Sequence, residues 1–367
     1  MIKGFATTGG TARYAARFPD AANGHFRPAQ GLQISSIGIG TYLGNFDAET
    51  DENYARSIAR FVELGGNVID TAANYRFQRS ERNIGQALQE LTAKGYGRDE
   101  LFICTKGGYL PFDGAPPQNV KQYFEDTFVK TGIAGFEDLA GGSHCMTPKY
   151  LQSQIEQSRA NMGIETLDVF YIHNPESQLA EIDRYTFDAR LAKAFETLEE
   201  DRAAGKLRFY GVATWNGFRV QPAERGYHSL ERMAAIAKQV GGDAHGFKFI
   251  QLPYNLAMPE AYLLPNQASS GKALTLIEAA KAMDLTVMAS ASMLQGKLAA
   301  GLPPNIVEAM GDPPTEALAS IQFVRSTPGI TTALVGMSGT GHVEENLALA
   351  KTPPVTGEAF DSLFARG

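Results

Sequence analysis

Residues 51–106 read DENYARSIARFVELGGNVIDTAANYRFQRSERNIGQALQELTAKGYGRDELFICTK, and this stretch decides the fold. Segments 51–64 and 80–93 are amphipathic and read as helices. The short apolar runs Asn67–Thr71 and Leu101–Lys106 read as strands. The runs are apolar on consecutive positions, as strands covered on both faces should be. Gly65-Gly66 closes the first helix, where a left-handed residue is wanted.

The same alternation continues in both directions. Further strands are expected at Ile37–Thr41, Asp168–His173, Leu207–Thr214, Lys248–Pro253, Thr286–Ser292 and Thr331–Gly336. Helices are expected at 148–162, 188–204, 228–240, 271–284, 313–326 and 343–350. Thr147 before Pro148 marks one helix start, and Gly205 marks one end. Eight strand–helix units predict a closed α/β barrel, a (β/α)8 barrel of the TIM type, as one domain over residues 1–367. The N-terminal extension, residues 1–30, is rich in Gly, Ala and Pro; it either plugs the bottom of the barrel or stays partly mobile. One connection is abnormal: residues 107–146 pass from strand three to helix three, where two to six residues suffice. This loop leaves the C-terminal face and carries Tyr109, Phe112, Tyr123, Phe124, Phe128 and Phe136. A substrate-shaping lid and a packed structural subdomain both fit it.

Composition narrows the function classes. The 367 residues are 44% hydrophobic and carry a net charge of −7, which argues against nucleic acid or an anionic membrane as partner. No apolar run approaches the roughly 20 residues that span a bilayer. Met1 to Phe18 lacks the apolar core of a signal peptide. Of the two cysteines, Cys104 sits in an apolar strand and reads as an inert thiol. Cys145 follows His144 without a second ligand pair, so no metal centre is expected. A cytoplasmic, reduced protein is the expectation, acting on a small molecule as a monomer or homo-oligomer.

Polar groups with chemical potential stand where strands two, three and four stop: Asp70 with Tyr75 on the following loop, then Lys106, then His173. Each has a bland alternative, as a cap, a rim charge, a packed ring or a structural histidine. Together they have a purpose. An ammonium beside a phenol lowers its pKa from about 10 towards working pH, and a carboxylate holds that ammonium in place.

The run Asp70-Thr71-Ala72-Ala73-Asn74-Tyr75, then Lys106, then Tyr171-Ile172-His173-Asn174, resembles the aldo-keto reductase superfamily over roughly residues 31–350. The resemblance implies a catalytic tetrad of Tyr75, Asp70, Lys106 and His173. Its chemistry is NAD(P)(H)-dependent hydride transfer to an aldehyde or ketone, or oxidation of the alcohol or sugar, with Tyr75 as general acid. It implies NADP(H) first and NAD(H) second. The cofactor would lie across the barrel mouth, because no G-x-G-x-x-G follows the first strand. The residues implied are Gly40, Thr41, Tyr42, Asp70, Thr214, Gln251, Ser290, Ala291, Ser292, Met293, Gln295, Lys297, Gly336, Ser338, His342, Glu345 and Asn346. Thr214 stands where the family often has Asn, and Ser290 where many members stack an aromatic ring. Gly336 and Met337 replace a Lys-Ser pair, and His342 replaces an Arg. Two other readings are a cofactor-binding regulatory subunit of the same fold and an aldolase using Lys106 as Schiff-base former.

Overall fold

Along each expected strand the residues alternate between two cores, and this alternation explains why the sheet closes. The computed structural model describes residues 1–269, 271–361 and 363–364. Its barrel strands are β1 Ile37–Gly40, β2 Val68–Asp70, β3 Phe102–Gly107, β4 Leu167–His173, β5 Leu207–Ala213, β6 Phe247–Pro253, β7 Thr286–Ser290 and β8 Ile330–Gly336. They pair in parallel in chain order, and β8 closes on β1. Val68, Phe102, Cys104, Val169, Tyr171, Phe249, Met288 and Leu334 fill the lumen. Ile39, Ile69, Ile103, Ile172, Val212, Ile250 and Val335 face outward under the helices. Period-two alternation thus serves two apolar layers, so the runs look continuously apolar in sequence. Gly211 is needed at its place in β5: a Cβ there would lie 1.8 Å from the Phe249 carbonyl oxygen.

The surrounding helices are α1 Ala48–Glu63, α2 Arg79–Ala93, α3 Pro148–Met162, α4 Arg184–Ala203, α5 Leu230–Gly241, α6 Leu276–Ala282, α7 Glu316–Ser326 and α8 Thr340–Leu347. Among the helices that begin earlier than the apolar periodicity indicates, aspartates cap α1 and α4: Asp47 accepts from Thr50 N at 2.8 Å, and Asp183 from Thr186 N at 2.7 Å. Helix α6 is shorter than the expected 271–284, since Lys272–Leu274 pairs antiparallel with Gln267–Ser269 instead. Strand β7 stops at Ser290 rather than Ser292, where Ala291 turns to a left-handed φ of 51°. Among the described residues no helix is long and apolar enough to cross a membrane.

The N-terminal extension closes the base. A hairpin, Phe26–Ala29 with Leu32–Ser35, packs Ala29, Leu32 and Ile34 onto the lumen residues. Helix Thr8–Ala16 buries Tyr14, whose hydroxyl donates to Gly66 O at 2.9 Å. Beneath the lumen lies a buried ion pair, Arg98 Nη2 to Asp168 Oδ2 at 2.6 Å. The same carboxylate accepts from Ala6 N at 2.7 Å and Ile103 N at 2.8 Å, tying the extension to β3.

The 107–146 connection is a folded appendage. A short helix, Val120–Phe124, runs on into the turn Glu125–Val129. Leu110, Phe124, Phe128, Ala134, Cys145 and Tyr150 form a satellite core. Its aromatic residues are spent mainly on its own packing.

Candidate active site

Strand register decides which polar groups meet. Gly40 pairs with Asp70, Asp70 with Cys104, Lys106 with Tyr171, and His173 with Ala213, so the inward positions climb together to the C-terminal rim. Lys106 Nζ donates to Asp70 Oδ2 at 2.5 Å and to Thr71 O at 2.8 Å, fully inside the barrel. The second oxygen of Asp70 accepts from Gln251 Nε2 at 2.8 Å. The ammonium sits 4.9 Å from the centre of the Tyr75 ring. Tyr75 in turn meets His173 edge to face at 5.8 Å, and Tyr42 at 5.0 Å. The four expected catalytic groups are therefore brought together. Asp70, Tyr75 and His173 line a cavity of about 790 Å³, while Lys106 is buried behind them.

The electrostatics differ from the simple expectation for the phenol. Burial raises the pKa of Tyr75, and Lys106 pulls it down by less, so the group stays above its ordinary value. A phenol that keeps its proton at neutral pH is the result. Burial is the largest single influence on Lys106 and lowers its pKa, but Asp70 together with Tyr75 and Cys104 more than offsets it and keeps the ammonium above its ordinary range. His173 is driven well below the usual imidazole value, by burial first and then by Lys106 and His144, so its ring is neutral.

The loop after Tyr75 is unusual. Arg76, Phe77 and Gln78 all adopt left-handed φ, at 47°, 58° and 69°, without a glycine among them. Such positions cost of order 1–3 kcal/mol each and persist only where neighbours dictate them. Arg76 is held by Asn45 O at 2.7 Å, Asn83 Oδ1 at 2.7 Å and Asp51 Oδ1 at 2.6 Å. Phe77 lies 5.1 Å from Phe46 and 6.3 Å from Phe112.

The 107–146 segment supports His173. Tyr109 packs edge to face on that ring at 5.2 Å, and it is the segment's one side chain among those lining the cavity. His144 Nε2 donates to the His173 carbonyl at 2.7 Å, and its Nδ1 accepts from Gln178 at 2.9 Å. Burial drives His144 down to about 4, and burial with Arg325 and Arg27 nearby does the same to His25. Both remain neutral in the folded chain while an unfolded histidine takes up a proton below about 6.5. Stability is therefore lost as pH falls through that value. At pH 5 each contributes about 2 kcal/mol of destabilisation relative to neutral pH. Thermal melting should fall between pH 7.5 and pH 5, and His25→Gln should flatten the dependence; an unchanged slope in that variant contradicts the assignment.

Most of the expected cofactor positions line the same cavity: Gly40, Thr41, Tyr42, Asp70, Thr214, Gln251, Ser290, Ala291, Ser292, Met293, Gln295, Gly336, Ser338, His342, Glu345 and Asn346. Lys297 is not among the described residues lining it and is exposed, although Gln295, Gly296 and Ala299 on either side of it do line the cavity. Residues that were not expected at the site also line it: Asn74 and Asn174 beside the quoted motifs, and Tyr54 and Ala317 with no motif signal. Thr214 Oγ1 is buried there with no hydrogen-bond partner among the described residues, while its N–H donates to Gln251 O at 2.9 Å.

A model of the Aldo/keto reductase family matches residues 36–300. The chain belongs to the aldo-keto reductase family. A D-threo-aldose 1-dehydrogenase of a Pseudomonas species is 28% identical over 190 residues, which is 51% of this chain and 52% of that protein. The L-glyceraldehyde 3-phosphate reductase of Escherichia coli K12 is 28% identical over 52% of this chain and 45% of its own length. The chain thus spans about half the length of the curated relatives it matches. An aldo/keto reductase of Klebsiella pneumoniae, crystallised with NADP and acetate, superposes with TM-score 0.62 and 19% identity, covering 94% of this chain and 95% of that one. A glycerol dehydrogenase of Gluconobacter oxydans gives TM-score 0.63 at 18% identity, covering 94% and 96%. At that identity the shared property is the fold, and this aldo-keto reductase has the same barrel.

Proposed function

We propose that the chain is an NAD(P)H-dependent oxidoreductase that reduces an aldehyde or ketone, or oxidises the corresponding alcohol or sugar. The observation that carries this reading is the buried Lys106–Asp70 pair under Tyr75, with neutral His173 beside it, at the wall of one large cavity. The rest of that cavity fits a dinucleotide. The orphaned Thr214 Oγ1 and the Gln251 amide suit a carboxamide, residues 290–293 with Gln295 suit a pyrophosphate, and Ser338, His342, Glu345 and Asn346 suit an adenosine end. When bound, the dinucleotide supplies the hydride.

The protein's own part is proton handling and positioning. Tyr75 holds a proton at its hydroxyl and gives it to the carbonyl oxygen as charge builds there. Lys106 stabilises the phenolate so formed, and Asp70 keeps Lys106 in place. His173, neutral, orients the carbonyl by a hydrogen bond. The test is oxidation of NADPH or NADH by purified protein with 4-nitrobenzaldehyde. Cofactor binding without turnover of any carbonyl would overturn the reading in favour of a regulatory subunit.

NADP(H) is the first choice of cofactor, in line with the NADP-bound Klebsiella structure. NAD(H) stands second on a specific observation: among the described residues lining the cavity there is no lysine or arginine to meet a 2′-phosphate. An imidazole at His342 is a weaker partner for a phosphate dianion than a guanidinium. His342→Arg should raise the NADPH-to-NADH ratio of kcat/KM by about tenfold, the worth of one charge-assisted hydrogen bond; an unchanged ratio places the phosphate elsewhere. Free, buried Cys104 and Cys145 are in keeping with a reduced, cytoplasmic setting.

A further inference from the structure

Trp215 is the only tryptophan in the chain. It follows Thr214 just beyond β5, two residues past Ala213, which pairs with His173. It lines the cavity and is 41% exposed. Among the described residues its ring has no aromatic or cationic neighbour at stacking distance. The backbone under this free ring is pinned. Glu176 Oε1 accepts from the N–H groups of Trp215 at 2.6 Å, Asn216 at 3.0 Å and Gly217 at 3.4 Å.

Glu176 is itself mostly buried. It lies in the turn Pro175–Ala180, two residues after Asn174, whose left-handed φ of 44° turns the chain out of β4. Its second oxygen lies 3.6 Å from His228 Nε2, within ion-pair reach but beyond a hydrogen bond. His228 is stacked on Phe187 at 5.1 Å and donates its backbone N–H to Gly217 O at 2.7 Å. A buried carboxylate thus receives three successive amides of one loop. Charge-assisted bonds of this kind are about twice as strong as neutral ones.

Fixing the backbone of a large aromatic residue while leaving its ring without a partner is an arrangement that suits a ligand. We propose that Trp215 is a specificity-determining wall for the substrate, and that Glu176 is a positioning residue acting through it. The substrate class is a carbonyl compound carrying a flat apolar face, either an aryl ring or the C–H face of a sugar ring. The face follows from Trp215, with Tyr42 and Tyr109 on the same wall. This inference rests on the carbonyl-reductase reading for the substrate's reacting group.

The test uses the full chain with its dinucleotide and compares 4-nitrobenzaldehyde, an aldohexose and propanal. Trp215→Ala should lower the kcat/KM ratio of at least one ring-bearing substrate over propanal by about tenfold or more, the worth of an apolar contact in a specificity pocket. Loss for the aryl aldehyde alone identifies an aryl substrate, and loss for the aldose alone a sugar; either supports the wall. Glu176→Leu should lower the same ratio and make tryptophan emission more quenchable by acrylamide. Glu176→Gln, which keeps an acceptor oxygen, should restore both. Glu176→Leu in a Trp215→Ala background should add nothing, as required of a residue acting through another.

Unchanged ratios in Trp215→Ala overturn the proposal, including the case where the loss falls equally on all substrates because the ring serves the dinucleotide. If Glu176→Leu does not accumulate as folded protein, Trp215→Ala and Glu176→Gln carry the test. If no carbonyl is turned over, the reductase reading fails separately. The wall is then read by quenching of Trp215 emission with benzyl alcohol and methyl glucopyranoside against 1-propanol, and equal quenching by all three overturns it.

Discussion

Tyr75→Phe should cut carbonyl turnover by about a hundred- to ten-thousandfold, the usual contribution of a positioned general acid. The phenyl ring keeps its contacts with Tyr42 and His173, and Lys106 keeps Asp70 and Thr71, so the cavity retains its shape. Dinucleotide affinity should stay within about threefold, because the lost group is a single hydroxyl proposed to act on the substrate. The measurement is single-turnover kinetics beside equilibrium binding of the cofactor. Turnover that survives the substitution would remove Tyr75 as the acid, and loss of both properties would mean that the ring has a structural role.

Arg98→Met should destabilise the fold by about 3–5 kcal/mol, because it strips the cation from a carboxylate that stays buried. Asp168 would keep the N–H groups of Ala6 and Ile103, which soften the loss without cancelling a charge. The pair lies at the base of the barrel, opposite the catalytic rim, so the variant that remains folded should bind dinucleotide as the parent does. Melting should fall by at least roughly 5 °C. A melting temperature within a degree of the parent would show that the two amides alone suffice for Asp168.

The barrel was legible because its strands carry a two-sided apolar pattern and its helices carry turn and cap signals. The four candidate groups stood out because Asp70, Lys106 and His173 each end such a run. The N-terminal hairpin was not, since Arg27 and Pro28 interrupt its short apolar stretches and its burial depends on the lumen above it. The left-handed turn at Arg76, Phe77 and Gln78 had no glycine to announce it. It is held by Asn45, Asp51, Asn83 and Phe112, from separate parts of the chain. Lys297 was expected from sequence position and is exposed, not among the described residues lining the cavity. A loop implied by position in sequence does not say which of its side chains turn inward, which the folded backbone decides.

From residues 51–106 and their echoes along the chain, the sequence alone determined the fold class and the identity of four groups at three strand ends. These are local properties: periodicity, end signals and the chemistry of each side chain. Tertiary structure decided the rest. Register placed Lys106 beneath Tyr75 rather than on a solvated rim. Burial raised the phenol above its ordinary pKa where Lys106 by itself would have lowered it. Packing from the 107–146 segment set Tyr109 and His144 against His173, and Glu176 pinned the loop of Trp215. Each of these depends on groups far apart in sequence meeting in a water-poor space, where desolvation and neighbouring charge, rather than residue type, set protonation and orientation.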